Sequence, residues 1–575
     1  MDAPFVPISV SSRHPDPLPT PSRGAAPLAD GWRPRRQRRI LCVFPRYTHS
    51  FGTFDHAFPL VGARAFMPPQ GLLLIAASLP REWEVRFIDE NIAPATDADF
   101  AWADAVFISG MHVQHRRILD INRRAHRAGR LTVLGGPSVS ACPEWYPEVD
   151  ILHLGELGDA TRALLQRLDE SVSRPDSPAA QERFVTTDRL PLTDFPPPAY
   201  GLIRMRDYFL ASVQFSSGCP FQCEFCDIPE LYGRNPRLKS PDQVTAELDA
   251  ILARGNPGVV YFVDDNFIAN PRAALALLHA LVRWQHDRGY PVCFACEATL
   301  NLARCTEILE LMREAAFTAV FCGIETPEED ALRAIGKSQN LRRPILDAVR
   351  TLNRYGLEVV SGIIMGLDTD TPDTGRRVRE FIAESGIPLL TINILHALPR
   401  TPLWRRLEAA GRLRQEGEGG LSNVAFLLPE QTVARMWRDT VTWAYSPEAV
   451  YARFDHQARH TFPNRKRLPL TRARLSPANL RRAAAILARL LWTVGIRADY
   501  RACFWRCALR SLRAGRVEDL IHTAVVAHHL ILFARECADG GGEPCFYSPT
   551  PATGIPTPSG EPDRPATAHR ATWVT

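Results

Sequence analysis

Short apolar runs recur along the first part of the chain, spaced so that one helix fits between each pair. Ile40-Leu-Cys-Val-Phe44, Val85-Arg-Phe-Ile88, Ala105-Val-Phe-Ile108, Leu131-Thr-Val-Leu134 and Ile151-Leu-His-Leu154 are four or five residues long and rich in branched and aromatic side chains. Runs of that kind read as strands buried on both faces. Between them, stretches such as 71–79 and 118–128 carry helical periodicity. The alternation predicts an α/β, Rossmann-like parallel sheet, doubly wound, over residues 40–170. A second series of strand patterns lies at 209–215, 259–263, 292–295, 319–322, 359–364 and 390–395. One of its helices opens at Ser240-Pro241, a capping serine followed by proline in the first turn. This series predicts a partial (βα) barrel over 208–420. Beyond about 420 the alternation stops, and 429–445, 479–493, 502–514 and 517–534 read as helices of a helical C-terminal region, 421–539.

The remaining segments have no such pattern. Residues 1–39 are rich in Pro, Ser and Arg, end in a basic run from Arg33 to Arg39, and are expected to be a disordered tail, as are residues 540–575. Residues 171–207 turn Ser-, Asp- and Pro-rich and are expected to be a stiff linker. With 45% hydrophobic and 23% charged residues the composition is that of a globular chain. The net charge of +5 gives no reason to expect nucleic acid as a partner. Its distribution matters more, since 453–497 holds eleven Arg or Lys against the single acid Asp455, interleaved with apolar patches such as Leu490-Leu-Trp492. Helices of that composition suit a peripheral position on a membrane surface, or equally a cap over the barrel mouth. No run of 18 or more apolar residues is present, so no spanning helix is expected. The 13 cysteines have no secretory segment in front of them, which suggests reducing, cytoplasmic surroundings, with any membrane contact on the inner face.

The chemistry concentrates in Ser217-Gly-Cys-Pro-Phe-Gln-Cys-Glu-Phe-Cys-Asp227, where Cys219, Cys223 and Cys226 are separated by three and then two residues. A cubane [4Fe-4S] cluster takes four cysteine ligands, so three on one loop leave one iron open to a small molecule. Gly218 and Pro220 suit a tight loop. A zinc site would call for a second matching hook, and none follows. Cys293 and Cys296 fall in a predicted strand and point to opposite faces. Cys42, Cys142, Cys305 and Cys322 read as small buried apolar residues. In parallel sheets ligands collect at the carboxyl ends of strands. Those ends carry Gly135-Gly136 and Gly155-Glu156 in the first series, and Asp264-Asp265, Glu297 and Glu325 in the second. Glycines there let the backbone approach a large flat ligand or a phosphate.

The CxxxCxxC spacing, with Phe225 before the last cysteine, resembles the signature of the radical S-adenosylmethionine (SAM) enzymes. The resemblance implies that SAM occupies the open iron and is cleaved to methionine and a 5'-deoxyadenosyl radical. It also implies SAM contacts among Asp264, Asp265, Glu297 and Glu325, with Glu325, in a Gly-Ile-Glu string, the best matched. Asp264-Asp265 stands where relatives often carry Gly-Gly-Glu, so the carboxylate that meets the SAM amine stays open. The preceding domain resembles the cobalamin-binding domain of the cobalamin-dependent branch through Met67-Pro-Pro-Gln-Gly-Leu72, Gly135-Gly-Pro137 and Gly155-Glu156. That implies Gly135, Gly136, Gly155 and Glu156 as cobalamin contacts. The Asp-x-His-x-x-Gly string that ligates cobalt elsewhere is absent, implying base-off cobalamin, and His112, His115 and His153 read as surface or satisfied core residues.

Over 39–548 the order of motifs, among them Phe44-Pro-Arg-Tyr-Thr48, Tyr232-Gly-Arg-Asn-Pro-Arg237, Phe262-Val-Asp-Asp-Asn-Phe267 and Ala527-His-His529, is similar to the hopanoid C-2 methylases. This closer resemblance implies methylation of an unactivated hopanoid carbon from methylcobalamin, with two SAM molecules per turnover and a low-potential donor such as flavodoxin or ferredoxin. Two alternatives stay open: an enzyme of the same branch acting on another lipid or natural product, and a non-catalytic iron-sulfur protein.

Overall fold

A computed structural model describes residues 32–174, 180–414, 420–469, 471 and 475–540; of the tails expected at 1–39 and 540–575, residues 1–31 and 541–575 lie outside the described residues. The first sheet contains β1 (Arg39–Phe44), β2 (Glu84–Asp89), β3 (Ala105–Ser109), β4 (Leu131–Gly135), β5 (Ile151–Leu154) and β6 (Glu182–Val185). All are parallel, in the order β2-β1-β3-β4-β5-β6. Ile40, Leu41, Cys42 and Val43 are completely buried, as an apolar run between two helical layers must be. The order reverses at β1, which opens a crevice between β1 and β3 at the carboxyl edge.

Two expectations are corrected here. Residues 171–207 are more than a linker, because Glu182–Val185 adds the sixth strand beside β5. It alternates half-buried and exposed positions as an edge strand does, a signal too weak to stand out from the Pro- and Ser-rich stretch around it. The basic run at 33–39 is not a disordered tail. Arg38 is buried, and its guanidinium donates to the carbonyls of Leu168 and Asp169 at 2.9 and 2.7 Å, while the Asp169 carboxylate accepts from the Arg35 and Arg36 amides. The run thereby caps the carbonyl end of the helix Asp159–Glu170, where cations are favoured.

The second sheet follows after β7 (Ala211–Val213), with β8 (Ser216–Ser217) and β9 (Arg237–Leu238) forming a small antiparallel ladder at the base of the cysteine loop. It continues through β10 (Val259–Phe262), β11 (Cys293–Glu297), β12 (Phe317–Glu325), β13 (Glu358–Met365) and β14 (Leu389–Ile394). The parallel order β7-β10-β11-β12-β13-β14 runs in sequence, with β7 and β14 at the two edges of a partial barrel. Cys293 is half-buried and Cys296 fully buried on β11, so the two face opposite ways.

The C-terminal region is helical, with Glu430–Ala444, Pro447–His460, Pro477–Leu490, a π-helical stretch Leu491–Arg497, Arg501–Arg513 and Val517–Ala538. Trp437 donates its indole N–H to the Ile392 carbonyl at 2.8 Å and the Tyr445 hydroxyl bonds the Leu390 backbone, so these helices cover the β14 edge. The terminal helix Val517–Ala538 is long and apolar enough to span a membrane by length and composition. Two thirds of that stretch is buried inside the molecule, however, as in a core helix. Phe533 meets Phe51 of the loop after β1 with ring centroids 4.4 Å apart, which joins the C-terminal region to the first domain.

Candidate functional site

The cysteine loop leaves β8 through Gly218, whose φ of 99° and a notional Cβ only 2.8 Å from the Gly233 carbonyl admit no other residue. The Gly218 amide donates to Asp265 Oδ2 at 2.7 Å and the Cys219 amide to the Gly233 carbonyl at 3.2 Å. From the far side, the Glu224 amide donates to the Ile335 carbonyl, and Gln339 places its amide nitrogen 3.4 Å from Cys223 Sγ. The Glu224 carboxylate receives two hydrogen bonds from Arg406. The loop is thus fixed from three directions before any metal binds. Burial holds the Cys219 thiol above its ordinary range and the Cys226 thiol far above it, so a bound metal would displace protons from them. Among the described residues the only trio of His, Cys, Asp or Glu ligand atoms all within 4.8 Å of one another is His49, His56 and Glu536. The three thiols are not such a trio, and three cysteines on one loop suit a cluster in which each sulfur has its own iron.

The predicted carboxylates divide into two groups. Asp264 is buried and accepts from the Phe215 amide at 2.9 Å and from the Ser216 amide, which positions the backbone just ahead of the cysteines. Burial raises it to about 7. Asp265 is raised by burial to about 6, and Glu297, which accepts a hydrogen bond from the Tyr261 hydroxyl at 3.3 Å, is raised by burial and by the Asp265 charge to about 8. A cation placed beside them would lower all three. Glu325 differs, because it forms a buried ion pair with Lys337. It sits at a bulge in the β12–β13 register with φ of 67°, an L-residue conformation that re-aims its side chain. Gly323 leaves the space for the pair, since a Cβ there would lie 2.3 Å from Glu325 Oε1. The Lys337 ammonium also lies 5.4 Å from the Phe225 ring, so the pair borders the cysteine loop. Lys337 and Gln339 are not legible in the sequence, because isolated polar residues after a short helix carry no periodic signal.

Between the carboxyl ends of the two sheets lies one cavity, and Gly135, Gly136, Gly155 and Glu156 all border it together with Ser217 and Asp265. Gly136 has φ of 98°, and a Cβ there would come within 2.5 Å of Ser109 Oγ. At Gly71 a Cβ would meet nothing within 4 Å, so that wall is open to a broad ligand. The glycine floor fits a flat macrocycle such as cobalamin. Glu156 has another part as well: Arg237 and Arg189 reach its carboxylate at 2.5 and 3.2 Å, tying the first domain to the hairpin under the cysteine loop. Gln70, within the Met67–Leu72 string, donates to the Tyr200 hydroxyl at 3.0 Å and to Ser212 of β7, a second tie between the sheets. His153 also borders the cavity, but its Nε2 pairs with the Thr161 hydroxyl at 2.8 Å. His112 is likewise engaged, 3.1 Å from Ser138 Oγ.

Sequence comparison matches residues 60–165 to the B12 binding domain, 213–382 to the radical SAM superfamily and 401–541 to a domain of unknown function, DUF4070. The chain is 57% identical over 512 residues to a hopanoid C-2 methylase from Rhodopseudomonas palustris (strain TIE-1), covering 89% of this chain and 96% of that protein. It is 22% identical to bacteriochlorophyllide d C-12(1)-methyltransferase of Chlorobaculum tepidum over 61% of this chain and 75% of that one. Among solved structures, the cobalamin-dependent SAM radical enzyme OxsB, determined with aqua-cobalamin and SAM bound, shares the fold with a TM-score of 0.55 at 15% identity, over 88% of this chain and 80% of that one.

Proposed function

We propose, from the premise that the chain belongs to the cobalamin-dependent radical SAM methyltransferases, that its substrate is a hopanoid and its product the hopanoid methylated at C-2. The observation that carries the substrate is the similarity to the hopanoid C-2 methylase along nearly the whole length of both chains, C-terminal helices included. An unactivated ring carbon offers no acidic proton and no nucleophile, so acid–base chemistry has nothing to act on. Held by Cys219, Cys223 and Cys226, a [4Fe-4S] cluster with SAM supplies radical chemistry, and methylcobalamin on the glycine floor supplies the methyl group. The chain's own residues arrange these partners. Asp265, which borders the cavity, and Glu297, at the carboxyl end of β11, have no ion-pair partner among the described residues, and we assign to them the cationic amino acid end of SAM. Lys337 engages Glu325 and so keeps that carboxylate from competing for it. Gln70 and Glu156 hold the two sheets face to face, which shields the reacting carbon from water. The electron comes from a low-potential donor such as flavodoxin or ferredoxin.

We assign the cytoplasm as the compartment, with peripheral contact on the inner face of the cell membrane. Leu480, Leu491, Trp492, Ile496 and Leu509 are each more than 40% exposed on the segment 477–513, beside exposed Arg481, Arg482, Arg489 and Arg513. The Arg497 guanidinium lies 4.8 Å from the Trp492 ring. Apolar side chains interleaved with arginine suit an anionic lipid interface. In vesicle flotation, the wild type should float with phosphatidylglycerol vesicles and a Trp492→Ser, Ile496→Ser, Leu509→Ser variant should remain below. Equal flotation would reject this surface.

The function is tested with anaerobically reconstituted protein, SAM, cobalamin, reductant and diploptene, followed by mass spectrometry. Formation of 5'-deoxyadenosine with a hopanoid one methyl heavier is expected. Deoxyadenosine without a methylated hopanoid would overturn the substrate while leaving the family in place.

A further inference from the structure

The loop after β1 and the last turns of the helix Val517–Ala538 meet in a cluster of imidazoles and carboxylates that the reaction does not use. Ligand atoms of His49, His56 and Glu536 all lie within 4.8 Å of one another. His49 Nε2 is 2.8 Å from Glu536 Oε2, and His56 Nε2 is 3.0 Å from Glu536 Oε1. The His56 nitrogen is shielded from solvent, yet its approach lacks hydrogen-bond geometry. Two ring nitrogens converging on the two oxygens of one carboxylate, one of them misaligned for a hydrogen bond, are disposed as ligands around a common point. Behind His49, its Nδ1 meets Asp55 Oδ2 at 2.5 Å, and Asp55 in turn accepts from the Thr53 hydroxyl at 2.6 Å. A carboxylate on the far nitrogen is how ligating imidazoles are usually oriented. A second observation concerns His529. This residue is completely buried, donates Nε2–H to the Phe51 carbonyl at 3.1 Å and leaves Nδ1 buried without a hydrogen-bond partner. Its ring centroid lies 5.6 Å from that of His56 and 6.4 Å from that of His49, so an unused acceptor borders the cluster.

We propose that His49, His56 and Glu536 bind one divalent transition-metal ion of the zinc class, oriented by Asp55. Two imidazoles and one carboxylate are a common zinc donor set that leaves a position for water, and His529 Nδ1 stands by as an acceptor for that water. The site is structural in effect. It links residues 487 positions apart, one in the helical region of unknown function and one in the loop that starts from Phe44 and Tyr47 at the cobalamin cavity. A metal there would fasten the C-terminal region to the rim of the pocket.

The test measures metal rather than turnover. The full-length chain, and a Cys219→Ser, Cys223→Ser, Cys226→Ser variant that cannot hold a cluster, are stripped with chelator, dialysed against Zn2+ and analysed by plasma mass spectrometry. One zinc per chain is expected in both, which excludes the three loop thiols as its ligands. His56→Ala should lower occupancy more than tenfold at the same free zinc, and Asp55→Asn should weaken binding about tenfold. Co2+ in place of zinc should give visible bands of a nitrogen and oxygen site without sulfur charge transfer. Should His56→Ala lose cobalamin binding and native circular dichroism, the near-isosteric Glu536→Gln carries the test. No zinc in the variant without the three loop cysteines, or equal zinc in Glu536→Gln and wild type, would overturn the site and leave a hydrogen-bonded Asp-His-Glu network.

Discussion

Glu297 shows how much one side chain's surroundings decide at the end of a strand. Burial and the neighbouring Asp265 raise it to about 8, so at neutral pH it holds a proton when no cation is near. The ordinary carboxyl value is about 4.3, so the folded chain keeps a proton that the unfolded chain releases. Its contribution to stability therefore falls as pH rises from about 4 to about 8. Cation binding runs the other way. To receive the SAM amine, Glu297 must lose its proton, and below about 8 each pH unit lowers affinity by up to tenfold. Calorimetric titration of SAM into reconstituted enzyme should show affinity rising from pH 6.5 and levelling above about 8, whereas Glu297→Gln should bind more weakly with a flatter profile. An identical profile in the variant would remove Glu297 from the site. Glu297 and Glu325 both read as strand-end acids in the sequence, with Glu325 the better matched to a SAM contact. What separates them is Lys337, which lies twelve residues beyond Glu325 and reaches it only through the bulge in β12.

Among the elements, the strands that position the site were legible where burial on both faces makes an unbroken apolar run, as at Ile40–Phe44. Elements that serve an edge or an end were not. Glu182–Val185 has only an alternating pattern, and Arg38 caps a helix 130 residues away, a pairing that no local window contains. The helix Pro447–His460 has no clean apolar stripe either, since its buried face mixes Val450 and Phe454 with Arg453 and Gln457. Glycines at strand ends are a middle case, because their position was readable and their necessity was not. Gly136 joins β4 to the next helix in a left-handed conformation while β3 passes within contact distance of its Cα hydrogen. Gly136→Ala should therefore cost about 1–3 kcal/mol of stability and drive Ser109 into the cavity. Thermal melting together with the absorbance of retained cobalamin checks this, and a variant that melts and retains cobalamin like wild type would show that the strand ends can yield.

For the molecule as a whole, two parallel sheets present their carboxyl ends to a shared cavity, and the reaction depends on both at once. The order of the two domains was readable from alternation and from the cysteine spacing, but how they face each other rests on contacts between distant residues. Glu156 is the clearest of these. Read from the sequence as a contact for the first domain's ligand, it also receives Arg189 and Arg237, and Arg237 belongs to the strand paired with β8 ahead of Cys219. Removing its charge by Glu156→Gln leaves two arginines facing each other at the junction while leaving the cysteines and the glycines themselves in place. Each half should still hold its own cofactor, yet the distance between radical and methyl donor would no longer be fixed. A carbon radical that waits for its methyl group is exposed to quenching, so SAM cleavage and methylation should come apart. The ratio of 5'-deoxyadenosine to methylated product should rise several-fold above the wild-type value, compared at equal cobalamin and iron contents. A variant that slows both products in parallel would show instead that Glu156 serves stability alone and that the junction is held by other contacts, Gln70 foremost among them.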